Sequence, residues 1–104
     1  MHAAIIGDTI IFTKITFDPA KRDTALVERL LAFEDAVHVF AGATLDTEDD
    51  RCDYGERRIV SVGYLFGRMV VIVWTPRGKA RHIISMRKAN DREQKRFAHR
   101  LSQA

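Results

Sequence analysis

Residues 56–88 constrain the fold more than any other part of this 104-residue chain. Three apolar runs rich in β-branched residues follow one another there, separated by short connections. Glu56–Tyr64 holds Ile59, Val60 and Val62. Arg68–Thr75 reads Arg-Met-Val-Val-Ile-Val-Trp-Thr, and Arg81–Arg87 reads Arg-His-Ile-Ile-Ser-Met-Arg. The connections, Leu65-Phe66-Gly67 and Pro76-Arg77-Gly78-Lys79, are short and each supplies a Gly for a tight turn. Neighbouring runs should therefore pair antiparallel. The middle run is apolar on both faces, which predicts a central, buried strand.

The first half has a different period. Asp18-Pro19 is a helix start, with Asp18 as N-cap and Pro19 at the first helical position. A helix is predicted over Ala20–Leu31, with Ala25, Leu26, Leu30 and Leu31 as its core stripe. A second helix, Phe33–Phe40, places Phe33, Ala36, Val37 and Phe40 on one face and stops near Gly42. Ile15-Thr16-Phe17 suits an edge strand, and Ala43-Thr44-Leu45 a short strand before an acidic loop from Asp46 to Gly55. A last helix begins at Asn90 or Asp91, with Phe97 and Leu101 as its apolar pair. The expectation is one α+β domain over residues 15–104: a small antiparallel sheet of three to four main strands, two N-terminal helices and one C-terminal helix. Residues 1–14 read as an N-terminal extension, either a small hairpin around Gly7-Asp8 or a segment without a fold of its own.

Composition narrows the class. A chain of this length buries about two-thirds of its unfolded surface, enough for a core without staples. Cys52 is the single cysteine, so an internal disulfide framework and a Cys-rich zinc site are both excluded. No apolar run is long enough to span a membrane, and the N-terminus lacks the layout of a secretory signal. A soluble, cytoplasmic protein is expected. Net charge is only +3, but it is unevenly distributed. Residues 1–52 carry five Lys/Arg against ten Asp/Glu, a balance of −5, whereas residues 53–104 carry twelve against four, a balance of +8. That asymmetry fits either a basic half that binds a polyanion or acidic partner, or a solvated basic surface.

Nucleophilic catalysis finds no support. There is no Gly-x-Ser-x-Gly elbow, Ser61 and Ser85 fall inside strands, and the acidic surroundings of Cys52 disfavour its thiolate. No phosphate loop is present. The run Asp46, Glu48, Asp49, Asp50 and Asp53 has Arg51 where a calcium loop needs Gly, so it reads as a solvated loop and no metal or cofactor is expected. His2, His38, His82 and His99 each read as surface or satisfied core histidines, and a paired-histidine ribonuclease mechanism is not supported.

An arginine-rich patch remains. Strict alternation in the last strand sends Arg81, Ile83, Ser85 and Arg87 to one face, and His82, Ile84 and Met86 to the other. Arg57 and Arg58 open the first long strand, Arg68 opens the central one, and Lys88 follows Arg87. Taken singly, such arginines often form structural ion pairs. As a set they suit RNA phosphate and the charge that develops when phosphate is transferred. Arg81, Arg87 and Lys88 are the candidate catalytic cations and Glu56 the candidate base, in a cleavage that needs no metal. Lys21, Arg57, Arg58, Arg68 and Arg92 are the candidate RNA-binding residues.

The chain resembles the BrnT family, the toxins of BrnT–BrnA type II toxin–antitoxin pairs. The resemblance starts at Phe17-Asp18-Pro19-Ala20-Lys21 and continues through Phe33-Glu34-Asp35-Ala36 and Val39-Phe40. It takes in Asp50–Arg58, Val62-Gly63, Gly67-Arg68 and Val71, and closes with Arg81–Ala89 and Glu93. In order and spacing it covers about residues 15–100. It implies a RelE-like fold, a ribonuclease that inhibits translation, and a BrnA-like antitoxin with a ribbon-helix-helix DNA-binding domain. That antitoxin would neutralise the toxin, set its oligomeric state and repress the operon with it. Where family members carry Asn and then Lys-His in the first helix, this chain has Ala25 and Glu28-Arg29. A second function is therefore open: a weakly active or inactive module that pairs with the antitoxin and modulates operon repression.

Overall fold

The computed structural model describes residues 11–51 and 55–103. The hairpin considered around Gly7-Asp8, and the loop positions Cys52 and Asp53, lie outside them. The elements run β1 (Lys14–Phe17), α1 (Pro19–Arg29), a 3-10 turn (Phe33–Asp35), α2 (Ala36–Phe40), β2 (Thr44–Glu48), β3 (Ile59–Leu65), β4 (Arg68–Arg77), β5 (Ala80–Lys88) and α3 (Asp91–Ser102). This is the α+β class expected, with five strands ordered β1-β5-β4-β3-β2. β2 to β5 form antiparallel pairs. The sheet is mixed rather than purely antiparallel, because β1 lies parallel to β5 from Lys14↔Ala80 to Phe17↔Ile83. These two strands are far apart in sequence, so no hairpin dictates their direction.

The sheet has a core on each face. Val70, Ile72, Trp74, Ile83 and Met86 pack against Phe33, Ala36 and Val39 on the side of the first helices. Val62, Met69 and Val71 pack against Ala89 and Leu101 on the side of α3. β4 supplies both sets by strict alternation, which is why its sequence is apolar throughout. Asn90 caps α3 in a full capping box with Glu93.

Two helix stripes differ from the sequence pattern. α1 stops at Arg29, so Leu30 falls outside it and is 77% exposed, while Leu26 is also exposed; Ala25 and Leu31 make the core contacts. In the next segment a 3-10 turn precedes α2 and rotates the face. Val37 is exposed and Val39 takes its place in the core. The loop expected from Asp46 is strand as far as Glu48. Asp49 is buried rather than solvated, its carboxylate held by the Arg51 guanidinium at 2.9 and 3.0 Å.

Leu30 caps α1 in the left-handed region, at φ 59° and ψ 35°. A Cβ is unfavourable there by about 1–2 kcal/mol, which is why Gly usually holds such positions. Leu30→Gly should raise stability by about 1 kcal/mol, a gain of roughly 4–8 °C in Tm for a domain of this size. A lower Tm would instead mean that the exposed leucyl side chain contributes more than the strain it imposes.

Candidate functional site

The sheet register builds a polar groove at the β1 end. Thr16 pairs with His82 across β1 and β5, and His82 pairs with Thr75 across β5 and β4. Ile59 pairs with Trp74, so the residues just before β3 arrive alongside Thr75. A hollow of about 360 Å³ opens here, with Asp18, Lys21, Glu56, Arg58, Arg77 and His82 on its walls. A second hollow, of about 640 Å³, is lined by Thr16, Lys14, Lys79, Arg77 and His82 among others. Arg77 and His82 line both, so the two hollows lie side by side along one polar groove. Five of its side chains are cationic, against two carboxylates. One of these, Asp18, already accepts from the Ala20 N–H as a helix cap, at 2.9 Å.

Thr16 Oγ1 and His82 Nδ1 are 2.9 Å apart, which fixes the orientation of the ring. Burial, and then the Arg77 cation, hold the imidazole below its ordinary pKa. Glu56 and Asp18 pull it back up, and Lys21 adds a smaller push down. These surroundings therefore favour the neutral ring in the free protein. Arg77 also reaches Glu56, with Nη2 3.3 Å from Oε1. Both side chains are well exposed, so this pair contributes little to stability and is easily exchanged for a ligand.

The structure separates the two arginines that strict alternation placed on one face. The β4–β5 register is regular up to Trp74↔Ile83 and resumes at Val73↔Ser85, which leaves Ile84 as an extra residue in β5. This β-bulge shifts the parity of everything after it. Arg81 stays on the face of the first helices with Ile83, and Arg87, opposite Val71, turns to the face of α3. The two are also about 20 Å apart along the strand. His82, Ser85 and Arg87 share the α3 side, and Met86 joins Ile83 in the other core.

Both arginines have defined surroundings. The Arg81 guanidinium carbon lies 4.1 Å from the Phe40 ring centre, 4.7 Å from Phe12 and 5.2 Å from Trp74. Burial lowers its pKa and the Asp46 carboxylate opposes that shift. The same core carries a polar chain: Trp74 Nε1 donates to Ser61 Oγ at 2.8 Å, and Ser61 donates to Asp46 Oδ1 at 2.6 Å. Arg87 forms a two-pronged pair with Glu93, both contacts 2.7 Å, and holds that carboxyl down at about 2.

Of the residues singled out from the sequence, Glu56, Lys21 and Arg58 come together in the groove. Arg57 lies outside it, paired to Glu48 at 2.7 Å. Lys88 and Arg92 are exposed at the opposite end of β5, and Arg68 lines a separate hollow there with Tyr64 and Gln94. Nothing in the sequence pattern singles out Arg77 or Thr16, and His82 reads there as a structural histidine. The Gly-containing connection predicts a turn at Arg77, whereas β4 continues through it. The Thr16–His82 contact depends on a parallel pairing that no local pattern signals. Among the described residues, no helix is long and apolar enough to cross a membrane.

Comparison with known proteins agrees with the motif series. No curated protein matches the chain. A family model described as the ribonuclease toxin, BrnT, of type II toxin–antitoxin systems matches residues 17–93. The match runs from the last residue of β1 into the first turn of α3; it takes in Lys21, Glu56, Arg58, Arg77, Lys79 and His82 of the groove, while Lys14 and Thr16 precede it. The chain belongs to the BrnT family of ribonuclease toxins of type II toxin–antitoxin systems.

Proposed function

We propose that this toxin holds single RNA strands in the groove between β1, β5 and the start of β3 and cleaves them without a metal ion, so inhibiting translation in the cytoplasm. The observation that carries the reading is the meeting of two hollows at Arg77 and His82, with Lys14, Lys21, Arg58 and Lys79 around them and Glu56 within reach. Guanidinium and ammonium groups bind phosphate, and they stabilise the extra charge of a five-coordinate phosphorus. Glu56 takes the proton of the ribose 2′-OH. The 2′-oxygen then bonds to phosphorus as the P–O5′ bond breaks, leaving a 2′,3′-cyclic phosphate and a 5′-oxygen that must gain a proton. In this reading Arg81 and Arg87 hold the sheet around the groove. Lys88, Arg68 and Arg92 meet RNA or an acidic antitoxin segment at the far end, and Arg57 extends the basic rim beyond the groove.

The partner is a BrnA-like antitoxin with a ribbon-helix-helix domain, which sets the oligomeric state and represses the operon together with the toxin. Val27 and Leu30, both largely exposed at the end of α1, are suited to an apolar contact with it. One observation favours the reading of a weakly active pairing module. Glu28-Arg29 stand where the resemblance puts Lys-His, and Arg29, at the His position, donates to the Met86 carbonyl at 3.0 Å instead of facing the groove. Inducing the chain with and without its antitoxin, and reading growth together with RNA integrity, separates the two. Arrest with fragmented RNA, relieved by the antitoxin, is expected. A stable complex with intact RNA would leave only the pairing module.

A further inference from the structure

We propose that His82, oriented by Thr16, is the general acid that protonates the departing 5′-oxygen; the inference rests on the ribonuclease reading and assigns its missing proton. Four observations place it there. His82 lines both hollows, so an RNA strand that occupies the two lies against it. Thr16 Oγ1 engages Nδ1. Among the described residues Nε2 has no hydrogen-bond partner. Glu56 lines the same hollow, so a base and an acid can flank one phosphodiester.

A neutral imidazole cannot give up a proton usefully, so the ring must charge when RNA binds. The groups facing it supply that switch. From β4 comes Arg77, from α1 Lys21, from the segment before β3 Glu56, and from the end of β1 Asp18. Arg77 and Lys21 are the cations that disfavour the imidazolium, and they are also the cations a phosphodiester neutralises. When Arg77 turns from Glu56 to phosphate, the anion replaces the carboxylate as its partner and adds its own negative charge beside the ring. His82 then takes up a proton from solvent. Its Nδ1–H donates to Thr16 Oγ1, and its Nε2–H points to the leaving oxygen. Glu56, released from Arg77, accepts the 2′-OH proton. After cleavage the carboxyl is protonated and the imidazole neutral, and water in the open groove restores both.

The test has two arms, both on the full chain. The first follows the His82 ring by NMR against pH, with the resonance identified by its loss in His82→Gln. A 2′-deoxy oligonucleotide serves as a probe that cannot be cleaved. The ring should titrate below its ordinary value when free and move up by about one unit when the probe saturates the groove. An unmoved titration overturns the proposal. The second arm measures cleavage of an oligoribonucleotide from pH 5 to 9. His82→Gln should cut about 100-fold more slowly or worse and lose the alkaline limb of the profile, while still binding the probe. A variant that cuts at the wild-type rate with the same alkaline limb removes His82 and leaves the ribonuclease reading intact. A wild-type chain that cuts no RNA brings down that reading, and the role of His82 with it.

Discussion

Glu56→Gln abolishes the growth arrest caused by induction, and in a purified assay it slows RNA cleavage by about 10²–10⁴-fold, the usual contribution of a positioned base. Its stability should hardly change. Glu56 is an exposed residue whose ion pair with Arg77 spans 3.3 Å at the surface. Such pairs contribute about 0–1 kcal/mol, so the Tm should stay within a few degrees. The combination matters more than either part. An amide keeps the size and hydrogen bonding of the carboxylate but cannot accept a proton at neutral pH. A large loss of activity with an unchanged melt therefore assigns chemistry rather than folding. Affinity for a 2′-deoxy oligonucleotide should be kept or slightly improved, because the substitution removes a negative charge from a groove that binds polyanions. A Glu56→Gln protein that still fragments RNA at the wild-type rate would exclude this carboxylate as the base.

Arg87 would give the opposite pattern. Its guanidinium is committed to Glu93, the residue that also closes the capping box of α3. Removing it strips an anchor from that helix, so a loss of toxicity in Arg87→Ala says little unless stability is measured beside it. The two arginines at the ends of β5 look equivalent in sequence, and strict alternation gives them one face. The bulge at Ile84 breaks that equivalence. A bulge has no single-residue signature in an apolar run, and here it shows only once Ile83 and Met86 are found in the same core.

Local rules were legible where they involve neighbours in sequence. Asp18-Pro19 opens α1, Asn90 caps α3, and the Gly-containing turns at Gly67 and Gly78 join three antiparallel strands. What the sequence hides is contact between distant segments. The parallel pairing of β1 with β5 brings Thr16 against His82, 66 residues away, and turns a histidine of no obvious purpose into the wall of a groove. Lys21, Arg58 and Glu56 were visible as candidates because cations and carboxylates announce themselves. Their convergence was not visible, because it requires α1 and the entry to β3 to meet at one end of β5.

Gly63 tests how tightly that architecture is set. It lies in the middle of β3, paired with Thr44 on one side and Val70 on the other. A Cβ at this position would sit 2.8 Å from Val39 Cγ1, 3.1 Å from Thr44 Cγ2 and 3.2 Å from the Ala43 carbonyl oxygen. Val39 is completely buried, so it has no room to retreat. Two effects of Gly63→Ala oppose each other. Restricting the unfolded chain stabilises by about 0.4–1 kcal/mol, whereas overpacking a filled core costs about 1–3 kcal/mol. The close approach decides the sign. Net destabilisation should lower the Tm by several degrees in Gly63→Ala, and Gly63→Val should drop it much further or leave the chain unfolded. Activity should fall along with the fold, because α2 carries both Val39 and Phe40, and Phe40 is the ring nearest the Arg81 guanidinium. Pairing Gly63→Ala with Val39→Ala opens the space the new methyl needs, so the double variant should lose less than the two single losses combined. If Gly63→Ala melts at or above the wild type, α2 is not pressed onto β3 as tightly as this packing implies.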